Sequence, residues 1–553
     1  MTHEQPVPLD ASREAQIHEI APGVPIEFAD PRLASLAWER DAVHMPAALS
    51  PLAGDYALVL GNSLNDQYPL RSGGFPQRWH AATWHGYVYY AFERNATDEE
   101  WAAITARIEQ LVRERALVTE SYWDDDILPE LRAIYARMDA IDADRLPGGA
   151  LADAWESSWR DAERAWQLHM DVTPAVYQAR QELMKIYAIA VPAASSGEAD
   201  RLLQGSENEL VDMDRATDEV AALAAATPAV RQALRSGTRS LDVLGGLDGG
   251  ATFVAAVHAT LAIHGHLGQL ADDLETPSFG EQPELYVTEV AKRVEGPRLD
   301  GEERRRHLRQ DADALVEQAR SGLSASPDVL ARFDATLAVA RAIGPLSERH
   351  NYWIDRAVLA HLRRLAIRVG ARLVRDAVME DSADVFYLRW AEVGSLLREP
   401  RDRRAAVEQR RQEHAADARI RPATSLGGAG TLADDRPHFA PPERAPGDAG
   451  FRGTGASPGV ARGRARVVLD VSGFGRVERG DVIVCHASNA SFVPIFSIAA
   501  GLVTNVGGIL SHAAVVAREF GLPAVVGVAD ATTRIADGQE VEIDGTTGII
   551  QLL

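Results

Sequence analysis

A glycine pair followed by a serine and a histidine marks the stretch Gly507-Gly508-Ile509-Leu510-Ser511-His512-Ala513-Ala514-Val515-Val516-Ala517-Arg518-Glu519 as the strongest candidate for chemistry. Ahead of them, the apolar run Ala499 to Val503 reads as a buried strand. After them, small and apolar residues recur at helical spacing from about Leu510 to Phe520, until Gly521-Leu522-Pro523 stops the run. A glycine pair thus turns the chain from strand to helix, and His512 falls in the helix's first turn. Backbone N–H groups without intrahelical partners and the positive end of the helix dipole gather there, which suits an anion. Gly507 and Gly508 allow a tight turn with room for a phosphate-sized group, and Ser511 completes a candidate phosphate cradle. An imidazole in that setting can act as a nucleophile that carries a phosphoryl group. The same position also suits a capping or solvated histidine.

Two further patches carry candidate groups. His264-Gly265-His266 sits late in an apolar run, Phe253 to Leu274, that reads as a helix and is followed by Asp272-Asp273 and Glu275-Thr276-Pro277. A His-x-His pair could ligate a divalent metal, but residues two apart on a helix point to different sides. A substrate contact or a helix-end role is therefore favoured, and no metal site is expected. The second patch is Glu348-Arg349-His350-Asn351-Tyr352-Trp353. The Arg349 guanidinium could hold a transferring phosphoryl group bidentately, or form a salt bridge on a helix surface.

Around these patches the chain is patterned in long blocks. From Asp98 to about Leu397 it is overwhelmingly helical, with amphipathic runs Glu100 to Val112, Ala150 to Val191 and Glu348 to Val378. Trp155, Trp159 and Trp166 fall at helical spacing and read as core. Residues 1 to about 95 read as irregular, with one short strand at Tyr87 to Phe92. The charge run at 400–419 reads as a solvated helix, and the stretch from Ala423 to Gly447, loaded with Gly, Pro and Ala, as a linker. The expected fold class is multidomain α+β. Residues 1–97 would be an irregular part of a substrate domain and 98–420 its large all-α portion, with a flexible linker at 421–452 and a C-terminal α/β domain at 453–553.

At 553 residues the chain has ample core for several domains. A formal charge of −23 argues against a nucleic-acid partner, since phosphate backbones want a basic face. The single cysteine, Cys485, excludes intramolecular disulfides and reads as a packed strand thiol. No signal-peptide pattern and no membrane-length apolar run is present, so a soluble, cytoplasmic protein with no membrane partner is expected.

Thr504 to Glu519 and Gly521 to Gly527, with the upstream Ala456-Ser457-Pro458-Gly459-Val460-Ala461-Arg462-Gly463 and the closing Asp544-Gly545-Thr546-Thr547-Gly548, closely resemble the phosphohistidine swivelling domain of the dikinases. This PEP-utilising family includes phosphoenolpyruvate synthase, pyruvate phosphate dikinase and rifampin phosphotransferase. The resemblance implies that His512 is the residue phosphorylated. Trp38 to Pro46 resembles the segment that opens the family's substrate domain, and Glu348 to Arg356 its segment with a phosphate-facing arginine. Carried over, these imply substrate contacts at Trp38, His44, Trp84, His85, Glu348, Tyr352 and Trp353. Arg349 would neutralise the phosphoryl oxygens, and His350, His264 or His266 would accept the acceptor's proton.

In the family an ATP-grasp domain precedes the substrate domain. No phosphate loop or kinase signature is found here, nor room for an ATP-grasp domain. The expectation is a donor in trans: a separate ATP-grasp subunit binds ATP with Mg2+ or Mn2+, and AMP and phosphate result. That arrangement resembles two-subunit phenylphosphate synthase and 4-alkylphenol phosphate synthase, which implies a small phenolic acceptor such as phenol or 4-cresol. Rifamycin-type or PEP-synthase-like transfer, or a non-catalytic phosphocarrier or regulatory protein, are the alternatives.

Overall fold

The computed structural model describes the chain from Leu33 onward, apart from residues 34–35, 42–43, 46, 68–76, 95, 114–119, 193–198, 269–273, 295–300, 421, 424, 428–450, 469–470, 489–491, 497, 509–510 and 530. Some side chains within helices and strands, the His512 imidazole among them, also lie outside the described set, as do Asp272-Asp273 and most of the expected linker. The chain divides into two compact units. The first holds Met1–Ala175, Asp272–Glu275 and Trp353–Asp435; the second holds Val176–Ala271, Thr276–Tyr352 and Arg436–Leu553.

In the first unit a four-stranded antiparallel sheet has the order β2-β3-β1-β4, formed by Gln77–Trp84 (β2), Tyr87–Arg94 (β3), Ala37–Arg40 (β1) and Ser425–Gly427 (β4). Strands β2 and β3 are joined by His85 and Gly86, both at positive φ (48° and 73°), which matches the right-handed twist of a hairpin. Alternate residues Tyr87, Tyr89 and Ala91 are buried beside Trp38 and Leu426. Two expectations are corrected here. Residues 1–97 contain a second hairpin strand and a 17-residue helix, Pro51–Gln67, which buries Leu52, Ala53, Tyr56, Ala57 and Val59. Its Gly, Ser and Asn content masks the helical period. The stretch expected as a linker from 421 contributes Ser425–Gly427 to the sheet, where it pairs with β1.

The described helices of this unit include Leu128–Asp139, Ala357–Arg375, Trp390–Arg398 and Arg404–Asp417. The helix Gly148–Ala190, whose residues from Val176 on are counted in the second unit, matches the amphipathic run read from the sequence. Trp155 is fully buried and stacks on Trp390 with centroids 3.8 Å apart, and the Trp166 indole donates to the Tyr56 hydroxyl at 2.7 Å. Trp155 and Trp166 are core, whereas Trp159, read with them, is only partly buried.

The second unit contains the helices Glu209–Ala226, Gly250–His264, Pro283–Val294, Gly301–Gly322 and Pro327–Ile343. The helix expected to run to Leu274 ends at His264. Gly265 leaves it to meet Gly280, whose amide donates to the Gly265 carbonyl at 2.7 Å, and Gly268 bridges Ser278. A Cβ on Gly265 would stand 2.3 Å from the Leu261 carbonyl oxygen and 3.2 Å from the Gly280 Cα, so the position favours glycine.

The same unit carries an eight-stranded sheet of order β5-β12-β11-β7-β8-β9-β10-β6. Its strands are Phe451–Arg452 (β5), Thr454–Ser457 (β6), Val460–Val468 (β7), Val482–Cys485 (β8), Gly501–Thr504 (β9), Ala524–Val526 (β10), Glu540–Asp544 (β11) and Ile549–Leu552 (β12). Strands β7 to β10 run parallel, and every residue of β8, β9 and β10 is buried, as expected for parallel strands covered on both faces.

Cys485 lies in β8 without exposure, and burial pushes its thiol pKa up. Ellman's reagent at pH 8 should leave the native chain unmodified and titrate one thiol per chain after unfolding. Rapid reaction of the native chain would contradict this packing.

Candidate functional site

The turn after β9 is built from the backbone outward. Asn505 and Val506 donate to the carbonyls of Cys485 and His486 at 3.0 Å each, which pins the turn to the end of β8. The Asn505 side chain accepts from the Thr532 amide at 3.0 Å and donates to the Thr532 hydroxyl at 2.8 Å. Gly507 then takes φ 118°, a conformation closed to other residues, and a Cβ there would stand 2.9 Å from the Ser511 hydroxyl oxygen. Ser511 caps the helix His512–Glu519: its hydroxyl donates to the Gly508 carbonyl at 2.8 Å and accepts from the Ala514 amide at 3.4 Å. Gly507, Gly508 and Ser511 are thus gathered at a helix N-terminus whose first residue is His512, while the imidazole itself lies outside the described set.

A second cluster in the same unit collects most of the other candidates. The Tyr352 hydroxyl donates to the Ile263 carbonyl at 3.1 Å and stands 2.9 Å from His264 Nδ1. With that phenol proton on Ile263, His264 donates from Nδ1 and keeps its lone pair on Nε2. Burial lowers the His264 pKa and so favours the neutral imidazole, opposed by the charges of Asp212 and Glu209. Burial raises the Tyr352 pKa, helped by the same two carboxylates. His266 approaches the Tyr352 carbonyl with Nε2 at 3.2 Å and sets its ring edge-on to the tyrosine. Arg349 pairs with Glu209, Nε to Oε1 at 3.1 Å, which ties the segment Leu346–His350 to the helix Glu209–Ala226. Glu348 is 2% exposed. His350 donates from its ring to the Leu346 carbonyl at 2.7 Å, and burial lowers its pKa to about 4.

The remaining candidates belong to the first unit. Trp38 is 1% exposed, with its indole donating to the Leu33 carbonyl, so it is a core residue of the small sheet and not a lining residue. His44 is exposed and reaches both carboxylate oxygens of Asp41 at 3.0 Å. His85 bonds Asp417 at 2.8 Å, with Trp84 edge-on at 4.9 Å. Trp353 lies under the Arg132 guanidinium, and its carbonyl accepts from Tyr135.

Residues 477–548 match the family model described as PEP-utilising enzyme, mobile domain. This stretch is similar to the mobile domains of PEP-utilising enzymes. It holds β8 to β11 and the turn that presents His512. Ahead of the mobile domain, residues 169–348 match the rifampicin phosphotransferase fourth domain, which takes in His264, His266 and Glu348. The chain is 29% identical over 99% of its length to a protein named chondramide synthase cmdD from Chondromyces crocatus, covering 14% of that protein. Rifampicin phosphotransferases from Streptomyces sviceus and Bacillus subtilis are 34% and 27% identical over 57% and 56% of this chain. The chain covers 36% of the length of each.

Sequence reading missed the residues that lock the mobile-domain turn, Asn505 with Thr532 and the adjacent His486, because their pairing spans 19 to 27 residues. It also missed a close pair in the first unit, His169 Nε2 and Asp355 Oδ1 at 3.5 Å. Among the described residues, no helix is long and apolar enough to cross a membrane.

His350 gives a pH test. An unfolded histidine titrates near 6.5 and this folded one near 4, so between those values the unfolded chain binds a proton that the folded chain refuses. Its contribution, on the order of 3 kcal/mol, is present above about pH 6.5 and lost as pH falls toward 4. The thermal midpoint should therefore drop less between pH 6.5 and 5 in His350→Leu than in the parent chain. Equal drops would contradict the assignment.

Proposed function

We propose that this chain is a phosphotransferase that receives a phosphoryl group on His512 and passes it to the hydroxyl of a small acceptor. The observation that carries the reading is the Ser511-capped turn of the mobile domain, with Gly507 in the left-handed region and His512 opening the helix. In the loading half-reaction an imidazole nitrogen attacks the donor's phosphorus; an N–P bond forms as the P–O bond to the donor breaks. In the second half-reaction the acceptor oxygen attacks phosphorus and the N–P bond breaks. The hydroxyl proton goes to a base, and the imidazole returns unchanged. His264, with burial favouring its neutral form and with its lone pair on Nε2, is suited to take that proton. Arg349 supplies positive charge for the equatorial oxygens, with Glu209 holding its guanidinium in place. Loading needs a neutral imidazole and should fail at acid pH.

The donor in this reading is ATP, held with Mg2+ or Mn2+ by an ATP-grasp partner. The imidazole attacks the β-phosphorus as AMP leaves, and water cleaves the β–γ bond to release phosphate, so that one phosphoryl group stays on His512. The acceptor is a phenol such as 4-cresol, whose hydroxyl ionises near pH 10, roughly as a tyrosine side chain does. A rifamycin-type hydroxyl compound is a second reading, favoured by the match of residues 169–348 to the rifampicin phosphotransferase fourth domain.

Incubating the chain with such a partner, γ-site- and β-site-labelled ATP, and either 4-cresol or a rifamycin decides between them. The expected outcome is a labelled aryl phosphate that disappears with His512→Ala. Labelled rifamycin alone would move the acceptor to the second reading, and full turnover by His512→Ala would contradict the carrier role.

A further inference from the structure

The helix that begins at His512 is anchored at its other end. Arg518 lies six residues on, about 9 Å along the axis, and its side chain is 4% exposed. Its Nη1 donates to the Ala456 carbonyl at 2.8 Å and stands 3.5 Å from Asp200 Oδ2. Asp200, itself 3% exposed, is paired through its other oxygen with Arg180 Nε. Gln204 Nε2 donates to the Arg518 carbonyl at 3.2 Å. A second tie joins the same two parts of this unit: Lys292 Nζ reaches the Phe474 carbonyl at 3.4 Å while paired with Glu289.

Arg180, Asp200 and Gln204 lie within the stretch matched to the rifampicin phosphotransferase fourth domain, and Arg518 lies in the mobile domain. A contact between them must be made and broken if that domain moves. Its chemistry suits reversal. A buried charge stripped of every partner is strongly disfavoured, but here each group keeps one: Asp200 retains Arg180, and Arg518 retains the Ala456 carbonyl. Burial pushes the Asp200 carboxyl pKa up, and Arg180 and Arg518 together bring it below its ordinary value, so the carboxylate stays ionised.

We propose that Asp200, backed by Arg180, is a positioning residue that docks Arg518 and so holds the His512 helix against the helical part of this unit during transfer to the acceptor. Gln204 sets the register by gripping the backbone at the same residue. The role in transfer rests on the carrier reading of His512, whereas the docking contact does not.

The sequence provides its own probe, because it contains two lysines, Lys185 and Lys292. Lys185 is 59% exposed at its side chain and serves as the reference; Lys292, at 14%, touches the Phe474 carbonyl of the C-terminal domain. Trace acylation of the full chain, read by mass spectrometry, gives the ratio of the two labelling rates. Asp200→Asn should raise the Lys292 to Lys185 ratio severalfold. Gln204→Ala should shift it the same way by less, and it decides the matter if Asp200→Asn does not fold. An unchanged ratio in the folded variants would overturn the docking role. This readout needs no phosphoryl group, so it stands even if His512 is never loaded. With a loaded chain, Asp200→Asn should slow discharge to the acceptor by about tenfold or more while loading keeps its rate. Equal slowing of both steps would make Asp200 merely structural and overturn the proposal.

Discussion

The chemistry proposed here depends on how one short turn is closed. Strand β9 is buried on both faces between β8 and β10, so its carboxyl end is a fixed point from which the chain must leave the sheet. Open sheets of parallel strands offer ligand sites at that edge, where helix N-termini converge. Gly507 makes the departure possible through a positive φ, and the Ser511 hydroxyl then seals it by bonding both the Gly508 carbonyl and the Ala514 amide. A cap of this kind contributes about 1 kcal/mol. Its larger effect is geometric, since it sets which residue becomes the first of the helix, and that residue is His512.

Histidines in the second unit show how surroundings divide one residue type into different roles. His350 is sealed against the Leu346 carbonyl and driven neutral by burial, which fits a packing role in the helix end. Burial also favours the neutral form of His264, but its partner is a tyrosine hydroxyl and two carboxylates lie close enough to oppose its shift. That leaves an imidazole beside Tyr352, the placement that the proposed proton transfer to His264 would use. Arg349 sits at the same cluster with Glu209, so its charge is held in position by the acidic helix that also influences His264.

What could be read in advance follows the range of the interactions involved. The strand, glycine turn and helix around His512 are local, and each was visible in period and turn chemistry. The tryptophans at 155 and 166 were recognisable as core because helical spacing alone places them on one face. By contrast, the end of the helix at His264 depends on Gly265 meeting Gly280, and the strand at Ser425–Gly427 depends on β1 nearly 390 residues earlier. Trp38 looked like a lining residue by likeness of segment, yet that same pairing buries it. Arg349 and Glu209, 140 residues apart, and Arg518 and Gln204, 314 apart, could be matched only in three dimensions.

Whether a single imidazole carries the phosphoryl group is decided by the position of the label itself. The purified chain would be loaded from ATP through an ATP-grasp partner, digested under alkaline conditions that preserve N–P bonds, and mapped by mass spectrometry. One phosphorylated residue, His512, is expected, with the label lost on brief acid treatment. Label on any other residue, or an acid-stable label, would contradict it.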